Sequence, residues 1–297
     1  MRLLTLTTMF AAILPVCAAT AATVTVFDTS LAALNGPFGA GVATTTTVAN
    51  VGTTTTVNGP TGGANRASAA YLSDQWVQRN VGGNGVVGIT TDYARSGNGS
   101  AYFGGSGVAG AYKSDLEILF GNAILASSIT GFGFDWLRSS ATGVTSANLH
   151  PVVRLMVSGN VAAATVGGYL VFERDYNGGG AAPVNTWTTE SLTYTTGNIW
   201  ATGSLPGAFA VFGRQLDDWD NLVGNLTVLG MSIGIGSGWN GGGFAGAIDN
   251  VSITTSTGST TWNFEVQRAN DVPEPTSLAL VGLALAGLGF ARRRRAA

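Results

Sequence analysis

Three short stretches of this chain alternate apolar with small or polar residues at period two, and no other feature constrains the fold as much. "GFGFDWLR" puts Phe132, Phe134 and Trp136 on one side. "VVRLMV" puts Val153, Leu155 and Val157 opposite Arg154. "LGMSIGIG" sends Leu229, Met231, Ile233 and Ile235 one way and Gly230, Ser232, Gly234 and Gly236 the other. Successive side chains of a strand point to opposite faces, so each stretch reads as a strand with one face in a core. "GYLVFE" is apolar on both faces until Glu173, as a covered strand would be. "WTTESLTY", "GAIDNVSIT" and "TTWNFEV" add further strands, and Gly-, Asn- and Ser-rich turns part them, as at Asn177 to Gly180 and Trp239 to Gly243. Many short strands without helical runs between them predict an all-β fold, an antiparallel β-sandwich of jelly-roll type.

Composition agrees. Gly supplies 44 of 297 residues and charged residues only 10%, against about 25% in a typical soluble domain. With 45% hydrophobic residues, including 7 Trp, 13 Phe and 7 Tyr, the chain has ample core material, which argues against disorder. One short helix is expected at "KSDLEILFGNAIL", where Ser114 and Glu117 have capping-box spacing and Leu116, Leu119 and Phe120 follow. The repeated Val-x-Thr-Thr-Thr-Thr-Val at Val42 and Val51 reads as two Thr-rich strands joined by a tight turn, or else as a glycosylated or disordered tract.

Both ends read as addresses. Residues 1–21 have one basic residue, Arg2, an apolar stretch from Leu3 to about Val16 and a small-residue Ala19-Thr20-Ala21 site, the pattern of a secretory signal peptide. The only cysteine, Cys17, lies inside that segment, so the body has no disulfide and no thiol chemistry. Residues 22–270 form one extracytoplasmic domain. Residues 271–297 hold Val272-Pro273-Glu274-Pro275, an apolar run from Leu278 to Phe290, and Arg292, Arg293, Arg294 and Arg295. As a helix that run rises about 20 Å, short of a hydrocarbon core of about 30 Å, so it suits a temporary stop better than a permanent anchor. The arginines should stay on the cytoplasmic side, which places the body outside, in accord with the signal peptide.

This tail resembles the PEP-CTERM sorting signal of Gram-negative bacteria. The resemblance implies handling by exosortase, a membrane protease or transpeptidase that reads the Pro-Glu-Pro element, after a transient stop in the inner membrane. It further implies delivery to the cell surface or to an exopolysaccharide and biofilm matrix. Two prolines fix φ and remove two donors, which keeps the motif extended and open to a protease. More faintly, "ARSGNGSAYFGG" (Ala94 to Gly105) and "GAIDNVSIT" (Gly246 to Thr254) resemble lectin- and carbohydrate-binding-module-like jelly rolls.

Chemistry is sparse. Between the termini nine basic residues face fifteen acidic ones, with a single lysine, Lys113, so there is no basic stripe for nucleic acid. The only histidine, His150, precedes Pro151 and reads as a surface or loop residue rather than a catalytic base. No catalytic residue is assigned. Asp217, Asp218 and Asp220 are candidates for a structural Ca²⁺ because hard oxygen ligands gather there, with a solvated loop as the plainer alternative. Asp249 shares parity with Val251 and Ile253, so it points to the core unless a bulge intervenes. Indole faces suit stacking on sugar rings, and among the tryptophans next to polar or Gly-rich stretches (Trp76, Trp187, Trp200, Trp219, Trp239) Trp219 and Trp239 are the candidates for glycan contact. The sequence therefore favours a non-catalytic surface or matrix protein able to bind polysaccharide. A purely structural or adhesive component and a secreted glycan-active hydrolase are the alternatives.

Overall fold

A computed structural model describes residues 20–28, 43–45, 55–57, 71–82, 84–106, 113–143, 146–236 and 242–267. In chain order the strands are β1 (Thr20–Phe27), β2 (Ala43–Thr45), β3 (Thr55–Val57), β4 (Trp76–Gly82), β5 (Asn84–Thr90), β6 (Ser100–Ser106), β7 (Lys113–Leu125), β8 (Ile129–Arg138), β9 (Val152–Val161), β10 (Ala164–Phe172), β11 (Thr188–Thr193) and β12 (Ile199–Ala201). A seven-residue helix, α1 (Leu216–Leu222), precedes β13 (Gly224–Ile235), β14 (Phe244–Thr255) and β15 (Gly258–Glu265).

Two sheets result. One runs β1-β15-β14-β6-β5, with β8 on the other side of β14 and β11 beyond β8. The second has the order β12-β10-β9-β13-β7-β4. The core lies between them, where Phe132, Phe134 and Trp136 of β8 meet Val153, Leu155 and Val157 of β9 and Met231, Ile233 and Ile235 of β13. Each such side chain removed from water stabilises the sandwich by roughly 1.5–3 kcal/mol. The expected β-sandwich is therefore present, with one departure: β1 joins β15 in parallel rather than antiparallel. Short β2 and β3 pair antiparallel with each other, Ala43 opposite Val57 and Thr45 opposite Thr55.

Two local expectations are corrected, and the choice left open at Asp249 falls to the bulge. The stretch from Lys113 is no helix but a 13-residue strand. Leu116 and Ile118 enter the core while Asp115 and Glu117 face away, a period-two arrangement that pairing with β13 and β4 on both sides enforces over the capping-box spacing. In β13 a register shift between Val228 and Gly230 turns Leu229 out of the core, where Leu226 and Val228 stand instead. In β14 a register shift between Asp249 and Ser252, with Asn250 at φ +50°, moves Asp249 to the outer face of its sheet. There it accepts the backbone N–H groups of Phe264 and Ser96 at 3.0 Å, so backbone donors supply its partners.

Among the described residues no helix is long and apolar enough to cross a membrane. The expected signal peptide as far as Ala19, the sorting motif Val272 to Pro275, the run Leu278 to Phe290 and the four arginines lie outside the described residues, as does Trp239, while Thr20 and Ala21 at the end of that segment open β1.

Candidate functional site

The outer face of the six-stranded sheet carries a transverse row of paired residues: Val77, Glu117, Ser232, Arg154, Val171 and Trp200, one from each strand. Alternation explains the row, because the neighbours Leu116, Ile233, Leu155, Leu170 and Ile199 all face the core. Above it opens a cavity of about 730 Å³ lined by Asp115, Arg154, Tyr169, Glu173, Asp175 and Trp200 among others.

Its two ends differ in chemistry. At the β7 end Asp115 is buried and receives Lys113 Nζ at 2.6 Å, Arg154 Nη1 at 2.9 Å and Asn80 Nδ2 at 3.1 Å. The adjacent Arg154 and Lys113 charges hold its carboxyl below the usual range, overcoming the desolvation that acts the other way. Glu117, also buried, accepts from the Tyr71 and Tyr169 hydroxyls and from Asn80 Nδ2 at 3.3 Å. Burial and that carboxylate push both phenols above their ordinary pKa. Asn80 reaches both acids because its φ of +51° falls where the β4–β7 register shifts.

At the β12 end the lining is aromatic. Tyr176 stacks on Phe212 with centroids 4.4 Å apart, and Trp200 stands 5.8 Å from Phe209 and 5.9 Å from Phe212 at about 50° to each. Phe209 is 65% exposed and sits at φ +60°, a left-handed conformation that an L residue with a large side chain rarely adopts. Glu173 and Asp175 border these rings, and burial raises the Glu173 carboxyl pKa while nearby Arg154 opposes it.

Both rim segments are fastened. The turn Arg174–Asn177 is held by Asn177, which donates to the Glu173 and Asn198 carbonyls and accepts the Asn198 N–H at 2.6 Å. Its first residue donates a backbone N–H to His150 Nε2 at 3.1 Å. The segment after β12 is bound to β10 by Ser204 N–H to the Gly167 carbonyl, and a Cβ at Gly168 would lie 2.2 Å from the Thr202 carbonyl oxygen. Farther along, Arg214 donates to the Pro206 carbonyl and lies over the Trp219 ring.

These positions correct several sequence-based assignments. Trp219 is fully buried and its Nε1 donates to the Ile199 carbonyl, so it supports β12 from below and offers no face to a ligand. Asp217, Asp218 and Asp220 fall on α1 and do not converge. Asp218 accepts the Gln215 N–H, Asp217 accepts the Asp218 N–H, and Asp220 accepts the Tyr194 hydroxyl. Among the described residues no group of three His, Cys, Asp or Glu side chains gathers to hold a metal ion. His150 does lie in a loop, ahead of β9, but is buried and not at the surface, and stacks on Trp136 with centroids 4.5 Å apart. Of the tryptophans considered, Trp76 is core and Trp187 lies on the other sheet's side under Arg95, whereas Trp200 lines the cavity.

Residues 271–295 match the family profile described as the PEP-CTERM protein-sorting motif. The motif implies an exported protein that exosortase processes. No curated protein matches the chain. Among solved structures, the chain is similar to the family 11 carbohydrate-binding module of cellulase Lic26A-Cel5E of Clostridium thermocellum, with 10% identity, TM-score 0.34, and coverage of 69% of this chain and 100% of that one. A structure titled "CBM4 structure and function" is similar at 17% identity and TM-score 0.30, covering 61% of this chain and 94% of the other. At these TM-scores the likeness assigns no residue of the cavity a role.

Proposed function

We propose that this chain is an exported, exosortase-processed protein of the cell surface or extracellular matrix that binds polysaccharide without catalysis. The observation that carries the reading is the aromatic end of the cavity, where Trp200, Phe209, Phe212 and Tyr176 border one cleft beside Glu173 and Asp175. A pyranose presents a flat C–H face to such rings and hydroxyls to carboxylates, and the fastened rim keeps the ordering cost low. The sorting motif supports delivery to a compartment where polysaccharide is met, with exosortase and, transiently, the inner membrane as partners.

Titration calorimetry of residues 22–270 against neutral and amino-sugar oligosaccharides tests it. Trp200→Ala and Phe212→Ala should each weaken binding at least about tenfold, in keeping with about 1.4 kcal/mol or more per ring. Retained affinity in both variants overturns the cleft, and no binding to any glycan leaves a structural or adhesive role. The raised Glu173 carboxyl beside Asp175 favours a second reading, a glycan hydrolase. Turnover of a bound polysaccharide that Glu173→Gln abolishes would replace the first reading by the second.

A further inference from the structure

The charges of the cavity are distributed unevenly. Among the described residues the cations that line it, Lys113 and Arg154, both contact Asp115 at the β7 end. Glu173 and Asp175 stand at the aromatic end, and among the described residues neither is in a salt bridge. The nearest arginine in sequence, Arg174, turns away to Glu190 at 3.3 Å and to the Ala181 carbonyl. Four rings therefore border two carboxylates that no cation pairs directly among the described residues, although Arg154, committed to Asp115, lies near enough to act on Glu173. Ring faces are the negative pole of the aromatic quadrupole, so they and the carboxylates attract the same kind of group.

We propose that the aromatic end of the cleft binds a positively charged ammonium group of the ligand, carried on the polysaccharide by a residue with a free amine. This rests on the glycan-binding reading for the carrier, and the cation preference itself follows from the rings and the charges. Trp200 is inclined at about 50° to both Phe209 and Phe212, Tyr176 stacks on Phe212, and all four rings line the cavity. An N-acetylated sugar at the same place lacks the charge, and a uronic acid brings the wrong sign.

Calorimetry at about pH 6, where amines of this class are charged, compares glucosamine oligomers with N-acetylated and uronic-acid oligomers of equal length, and with choline. The amine form should bind about tenfold or more tighter than the N-acetyl form, the preference should shrink with salt, and uronate should be weakest. Asp175→Asn, an exposed site where folding is not at stake, combined with Glu173→Gln, should bring the amine to N-acetyl ratio near one, while Trp200→Ala should lower both affinities. Equal or tighter binding of the N-acetyl form overturns the ammonium site and leaves the glycan reading standing. Choline binding that Trp200→Ala abolishes, with no glycan bound, supports the ammonium site and overturns the glycan carrier. Binding of neither choline nor any of the oligosaccharides overturns both.

Discussion

His150 offers a sharp test because its protonation would break a contact that holds the cleft. Its ring is buried against Trp136, and its Nε2 accepts the Arg174 N–H at 3.1 Å. The Nδ1 proton therefore goes to the Pro151 carbonyl, and the ring is neutral in the fold. Burial, aided by nearby Arg174 and Arg138, brings its pKa from 6.5 down to about 4. A depressed pKa of this kind contributes stability that is whole above pH 6.5, where the unfolded ring is neutral too. That stability is lost as pH falls toward 4, because only the unfolded chain then takes the proton. At 1.36 kcal/mol per pKa unit the loss is about 3 kcal/mol. Urea unfolding at pH 7 and at pH 4, in the natural protein and in His150→Asn at equal ionic strength, isolates it. The natural protein should lose about 3 kcal/mol more than the variant, roughly 1 M in midpoint at an m-value of about 3 kcal/mol/M. Parallel pH profiles would refute the reasoning, since they would mean that the imidazole is not held neutral by its surroundings.

Two further outcomes are expected. Asp249 has the opposite sign: burial lifts its carboxyl from 3.8 to about 6, so its ionisation disfavours the fold above that window and its protonation restores stability as pH falls through 6. Asp249→Asn should thus make the loss of stability between pH 6 and 4 steeper than in the natural protein, as read by thermal unfolding across pH, and an unchanged slope counts against the assignment. Trp219→Ala should destabilise by about 3–5 kcal/mol as a large buried side chain, measured by chemical denaturation, whereas the partly exposed Trp200→Ala should change stability far less. A neutral Trp219→Ala with specific loss of ligand binding would reverse the roles given to the two residues.

The alternating strands were legible because each needed only its own residues: Phe132, Phe134 and Trp136 read as one face and form one face. Where two local signals competed, spacing misled. Ser114 and Glu117 mimic a capping box, yet the same stretch alternates Asp115 and Glu117 with Leu116 and Ile118, and tertiary pairing selects the alternation. Bulges escape a parity argument because one extra residue flips everything beyond it, as at Leu229 and Asn250. The choice between Trp219 and Trp200 did have a signal. Leu216, Trp219 and Val223 are spaced as the apolar stripe of a short helix, which marks Trp219 as core and puts the aspartates on the outer side. Trp200 instead alternates with Ile199 and Ala201. The cleft itself was beyond local reading, since Asp115, Arg154, Tyr169 and Trp200 meet only through the order β12-β10-β9-β13-β7.

The central claim is that ligand enters over Trp200, and the indole N–H resonances of the seven tryptophans report on it directly. In a titration of the isotope-labelled domain with the best-binding oligosaccharide, the Trp200 signal should move with added ligand. The buried indoles of Trp76, Trp136 and Trp219 should stay in place. A Trp200 signal that is unmoved at saturation, with Trp187 on the opposite sheet shifting instead, would contradict the account.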